Sequence, residues 1–160
     1  MPPLAVMLQP LWALLATLGF CVVFRVPPGD MPLASVGGAL SWAVYLAVGF
    51  VLGVDSLAYF SASVAVGLYS EAVAVLRRRP ATLFIITAII PLVPGAGMYR
   101  SMLEAVSGAA QASASTLFLT LTAAGAIAGG LAVASALARI VVIRPQLHDR
   151  PADGTVARHG

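Results

Sequence analysis

Apolar runs of about 20 residues recur along this chain, and they constrain its fold more than any other feature. A run of that length crosses the hydrocarbon core of a bilayer as a single helix. Of the 160 residues, 60% are hydrophobic and only 9% are charged, and the mean hydropathy is +0.97. We therefore predict an all-α, polytopic membrane helical bundle whose outer faces contact lipid, with no room for a separate soluble domain.

Turn signals divide the chain into about five transmembrane helices. The first three spans are predicted at residues 4–24, 33–53 and 57–76, and the fifth at 116–138, with an extension as far as 143. The fourth is a broken segment within 81–107. We expect turns at 26–32 and 107–115, and Asp55 or Ser56 as the N-cap of the third helix. Residues 1–143 then form one transmembrane domain, and 144–160 a disordered cytoplasmic tail.

The charges predict the orientation of the chain. All nine basic residues are arginines, and they lie at the ends of apolar runs rather than in one patch. Cytoplasmic loops carry the excess of positive charge, so we predict a multi-pass protein of the plasma (inner) membrane with its N-terminus outside and its C-terminus cytoplasmic. Nucleic acid is not an expected partner. The arginines placed inside are Arg25, Arg77, Arg78, Arg79, Arg139, Arg144, Arg150 and Arg158.

The fourth apolar segment is interrupted by Pro91, Pro94 and Gly95. Proline cannot donate a backbone hydrogen bond, so one uninterrupted helix is not expected here. If the helix restarts near Gly95, the amides of Gly95, Ala96 and Gly97 point into the break with the positive end of a half-helix dipole behind them. That arrangement predicts a receptor for a substrate carboxylate. The alternative is a kink that only improves packing.

Two further residues of this segment are candidates for the same site. Arg100 offers a bidentate cation for an anionic substrate, and Tyr99 is a candidate for lining its path. Glu104 follows Arg100 by four residues, so the two side chains share a helix face. A salt bridge between them near the outer surface is the alternative role for Arg100.

Glu71 is the other ionisable residue inside a predicted span. A carboxylate in a bilayer usually pairs, becomes protonated or serves a transport pathway. We identify Glu71 as a candidate for proton coupling. The alternative is a carboxylate that reaches toward the cytoplasmic arginines six or more residues further along the chain.

No enzyme chemistry is visible in the sequence. It contains no HExxH, GxSxG or phosphate-binding loop motif, and Cys21 is its only cysteine, so we expect no catalytic residue, no metal site and no cofactor. Two GxxxG patterns, at 49–53 and 125–129, allow close approach of helices. They are compatible with docking of a partner subunit or with a homo-oligomer, and equally with packing inside one chain.

Residues 60–108 resemble the small membrane component of the threonine/serine exporter family. The resemblance is carried by the core Ile90-Pro91-Leu92-Val93-Pro94-Gly95 followed by Tyr99 and Met102, and by FCVVFRVPP at 20–28. It implies a five-span unit that works with a larger subunit, either fused to it or encoded separately. It also implies that the substrates are small carboxylates: threonine, serine or dicarboxylates such as succinate.

Two functions follow from this reading of the sequence. In the first, the chain is an export component in which Pro91, Pro94, Gly95, Gly97, Tyr99 and Arg100 form the substrate site and Glu71 couples export to protons. In the second, it is a noncatalytic membrane scaffold that assembles with and stabilises a partner membrane protein, and the break is a structural kink.

Overall fold

The computed structural model describes Val6 and residues 8–143, with side chains up to Ile140. This part of the chain is helical, with no strand. Its elements are α1 (Gln9–Val23), α2 (Met31–Leu52), α3 (Asp55–Arg77), α4 (Ala81–Ile89), a 3₁₀ helix (Ile90–Leu92), α5 (Gly95–Val106) and α6 (Ala110–Ile143). The predicted tail at 144–160 lies outside the described residues.

The helices confirm an all-α membrane bundle. Helices α2, α3 and α6 are each long and apolar enough to cross a membrane, and the α4–α5 segment, bent by 50°, makes a fourth candidate. Helix α1 has 15 residues, roughly 22 Å, which is short of the ~30 Å hydrocarbon core. The first predicted span begins at residue 4, where the chain is not described, so the count of five spans stays a prediction.

The helix register defines two ends of the bundle. The Tyr69 hydroxyl of α3 donates to the Leu33 carbonyl of α2 at 2.8 Å, so these neighbours run antiparallel. Helices α3 and α6 run parallel, since the region around 60–67 contacts the region around 130–134. We call the end that holds Arg25 and Arg77–Arg79 the arginine end. The α2–α3 link at residues 53–54 lies at the opposite end, together with the beginning of α6.

The arginine end is held together by a buried carboxylate. Asp30 precedes α2, and its side chain is only 3% exposed. Arg77 Nε lies 2.7 Å from Asp30 Oδ1 and Arg79 Nε lies 3.3 Å from Oδ2, while Arg77 also donates to the Gly29 carbonyl at 2.8 Å. The loop before α2 is therefore attached to the loop after α3. Beneath it lies an apolar cluster that includes Cys21, Val26, Ala34, Val73, Ala74 and Phe84.

Two local predictions are wrong. The residue that caps α3 is Val54, which is extended and offers no side-chain hydrogen bond, and Asp55 is the first residue of the helix. A carboxylate in the first turn is still favourable to the helix dipole. The predicted turn at 107–115 is confined to 107–109, because Gly108 adopts a left-handed φ of 82° and the alanine-rich residues from Ala110 onward favour helix.

The closest helix packing occurs at glycines outside the two GxxxG patterns. A Cβ on Gly130 would lie 2.6 Å from the Phe60 carbonyl oxygen, and one on Gly67 would lie 2.5 Å from Ala134 Cβ. A Cβ on Gly125 would meet nothing within 4 Å, and one on Gly129 would make only an ordinary contact. Close contact between α3 and α6 thus depends on Gly67 and Gly130.

Replacing Gly130 with alanine is expected to destabilise the bundle by about 1–3 kcal/mol, because the backbone of α3 has to move away from the new methyl group. Gly125→Ala is the matched control on the same helix. It fills open space and should change stability by no more than about 1 kcal/mol. The measurement is the unfolding midpoint in detergent micelles. Equal midpoints for the two variants would contradict the close packing of α3 and α6.

Candidate functional site

The predicted break is present, and the helix restarts at Gly95. Helix α4 tightens into the 3₁₀ turn at Ile90–Leu92, Val93 is extended, and α5 leaves at 50° to the preceding helix. Pro91 and Pro94 supply no N–H, so carbonyls of the preceding turn lose their usual donors. The Ile90 carbonyl, which loses its usual donor at Pro94, accepts from the Val93 amide at 3.1 Å. The Ser41 hydroxyl of α2 lies 3.2 Å from the Ala88 carbonyl at the end of α4 and 2.8 Å from that of Gly38, so it joins α2 to the segment just before the break.

A cavity of about 560 Å³ lies against this break. One wall is the broken segment, and the others come from α2, from the start of α3 and from residues 116–123 of α6. Its volume falls in the range of small-molecule sites. The lining residues are Trp42, Asp55, Ser56, Tyr59, Pro91, Leu92, Val93, Pro94, Ala96, Gly97, Arg100, Thr116, Leu119, Thr120 and Ala123.

Two backbone amides at the start of α5 lack a backbone acceptor. The Gly95 amide donates to the Val93 carbonyl at 2.8 Å, and the Met98 amide donates to the Pro94 carbonyl at 3.3 Å. Within the described residues the amides of Ala96 and Gly97 have no such acceptor, and both residues line the cavity. The first turn of a helix thus presents free N–H groups where the sequence predicted an anion receptor.

The cavity contains charges of both signs. Arg100 lies on α5 and Asp55 is the first residue of α3, and both side chains are exposed to solvent. No salt bridge joins Arg100 to Asp55, or to Glu104 on its own helix, in the part of the chain that the structure describes. The alternative role for Arg100, a salt bridge with Glu104, is therefore not seen among the described residues, and Arg100 lines the cavity.

Comparison with known proteins identifies the family. The family model described as Threonine/Serine exporter, ThrE, matches residues 9–137, which include every residue that lines the cavity. The chain belongs to the threonine/serine exporter family. It is therefore a membrane transporter of the threonine/serine exporter type. No solved structure matches the chain.

The predicted site residues of this exporter-family chain separate into two groups. Pro91, Pro94, Gly97 and Arg100 meet at the cavity. Gly95 does not line it and has open space around it, so the feature of Gly95 that matters is its place as the first residue of α5.

Tyr99 and Glu71 lie away from the cavity. Tyr99 is 68% exposed on the outer side of α5 and does not line the cavity. Glu71 is half-buried on α3, roughly 24 Å along the helix from Asp55, and makes no salt bridge with a described residue. It does not line the cavity.

Gly97 has a packing role that its sequence position did not reveal. A Cβ there would overlap the Thr120 hydroxyl, so the missing side chain lets α5 and α6 approach closely. The Ser113 hydroxyl of α6 also donates to the Ser101 carbonyl of α5 at 2.7 Å. Helix α5 packs substantially against α6 alone among the described helices, so this contact sets the position of Arg100.

Aromatic residues brace the wall of the cavity. Trp42 and Tyr59 both line it, and the Tyr45 ring lies between them at centroid distances of 5.2 and 4.7 Å. The Trp42 indole donates to the Gln9 side chain at 3.1 Å. Trp42 and Pro91 also line a second cavity of about 280 Å³ against α1, so these two residues form the partition between the cavities.

The Gly97→Ala substitution is expected to loosen α5 from α6, because its methyl group displaces Thr120. We expect amide hydrogen exchange in residues 98–106 to accelerate roughly tenfold, which corresponds to about 1.4 kcal/mol of local opening free energy. Gly95→Ala, two residues away in open space, is the matched control and should leave the exchange unchanged. The same exchange rates in both variants would show that Thr120 does not hold α5 in place.

Proposed function

We propose that this chain is the membrane component of an exporter of small carboxylates such as threonine, serine or succinate. The observation that carries the proposal is the cavity at the break, which brings together the free amides of Ala96 and Gly97 and the Arg100 guanidinium. All three are donors suited to a carboxylate, and the dipole of α5 adds to their attraction. In this role the chain is a transporter and not an enzyme.

The proposal includes a larger partner subunit of the same family. Support comes from the resemblance of residues 60–108 to the small component, and from the small part of the α5 surface that is packed inside this chain. This helix buries one narrow face against α6 and exposes Met98, Tyr99, Met102 and Val106. A helix with so little packing inside its own chain has a surface free for the partner or for lipid. We place the complex in the plasma membrane with the arginine end cytoplasmic.

The second candidate function is a scaffold that stabilises a partner without binding substrate. The exposed face of α5 favours it, because the same surface serves docking in either case. The two functions differ in what the cavity does. Under the scaffold function the break is only a kink, and Arg100 matters for assembly alone.

Arg100→Gln is expected to lower export of labelled threonine or succinate at least tenfold, since it removes the cation that faces the cavity. Assembly with the larger subunit, measured by co-purification, should persist. Arg100→Lys keeps the charge without the bidentate geometry and should retain part of the activity.

Arg139→Gln is the matched control for Arg100→Gln. It makes the same change of charge on an exposed side chain of α6 outside the cavity, and export should remain close to wild type. Loss of export by Arg100→Gln only in parallel with loss of co-purification would favour the scaffold function.

We also propose that Glu71 couples export to protons. Its half-buried carboxylate lies in α3, which is long and apolar enough to span a membrane, and has no ion-pair partner among the described residues. In proteoliposomes, Glu71→Gln should abolish the stimulation of transport by a pH gradient while substrate exchange without a gradient persists. A variant that keeps its response to the pH gradient would remove Glu71 from the mechanism.

A further inference from the structure

The cavity at the break joins two charged side chains that are far apart in the sequence. Asp55 opens α3 and Arg100 lies one turn into α5, and both line the same space. No salt bridge between them occurs in the described structure, so neither charge is neutralised by the other at contact distance. A ligand that enters this space meets a cation and free amides from α5, and an anion from α3.

This combination distinguishes two classes of small carboxylate. An α-amino acid carries one carboxylate and one ammonium group, so it complements a site with an anion receptor and a separate carboxylate. A dicarboxylate carries two negative groups, and the second of them is repelled by an anion on the cavity wall. The charge of Asp55 therefore favours a zwitterion over a dianion.

The backbone around Asp55 fixes the position of this residue at the start of α3. Gly53 ends α2 in the left-handed region with a φ of 64°, and Val54 is extended, so the chain reverses direction within two residues. Asp55 then lies in the first turn of α3 beside Ser56 and Tyr59, which line the same cavity. The alternative role for this carboxylate is stabilisation of the N-terminus of α3 alone.

We propose that Asp55 is a specificity-determining residue, which binds the ammonium group of an α-amino acid while Arg100 and the amides of α5 bind its carboxylate. This inference rests on the proposed function, because it concerns the same cavity. It adds that one side chain of α3 sets the preference of the site between zwitterionic amino acids and dicarboxylates.

The test measures efflux of labelled threonine and labelled succinate from cells that express the full chain with its larger subunit. Asp55→Asn keeps the size of the side chain and suits the start of a helix, but it removes the negative charge. We expect the ratio of threonine to succinate efflux to fall at least tenfold. Asp55→Glu should keep the wild-type preference, and Asp55→Lys should shift the preference toward succinate. Membrane abundance of each variant is measured in parallel.

The outcomes separate this inference from the proposed function. An unchanged ratio in Asp55→Asn, or an equal loss of both substrates, would show that Asp55 only supports the helix and would overturn the inference. A wild-type complex that prefers succinate would overturn the inference and leave the carboxylate exporter standing. Efflux of neither substrate by the wild-type complex, with both subunits inserted, would overturn the proposed function and the inference with it.

Discussion

The absence of two backbone donors at Pro91 and Pro94 is the constraint on which the rest of the site depends. In a bilayer an unsatisfied backbone group cannot turn to water, so a broken helix has to find replacement partners inside the protein. The Ile90 carbonyl, which loses its usual donor at Pro94, accepts from the Val93 amide at 3.1 Å instead. On the other side of the break the amides of Ala96 and Gly97 have no backbone acceptor in the described chain, and they line the cavity. The same break thus produces both the bend and the backbone N–H groups that have no backbone acceptor.

The two ends of the bundle differ in how they are held together. At the arginine end, the buried Asp30 carboxylate contacts Arg77 and Arg79, and an apolar cluster fills the space beneath. Because the arginine side chains are about half exposed, they keep part of their hydration while Asp30 is paired, which limits the cost of burying its charge. The cavity lies toward the opposite end, where Asp55 and Arg100 remain exposed. The bundle is therefore tightly connected at one end and has an open cavity of about 560 Å³ near the other.

What the sequence could predict was set by local chemistry. The break and the restart of the helix at Gly95 follow from proline and glycine alone, and the structure confirms both. Contacts between distant segments were beyond such reasoning. Gly97 was expected to let a ligand approach the backbone closely. Its missing side chain also lets Thr120 of α6 approach α5. Asp55 was expected only to cap a helix. The available signal was topological, since the α2–α3 link and the turn that follows the broken segment fall on the same predicted side of the membrane.

A kink that served packing alone would be expected to close the space it creates, because interiors are filled to a high density. Here the contact between Gly97 and Thr120 brings α5 tightly against α6, while a cavity of about 560 Å³, which both residues line, remains beside the break. The polar groups that border it also differ from those of a filled core, since Arg100 and Asp55 are charged and not paired with each other. Packing accounts for the position of α5. It does not account for the open, charged space beside it, which is the space that the proposed carboxylate substrate would occupy.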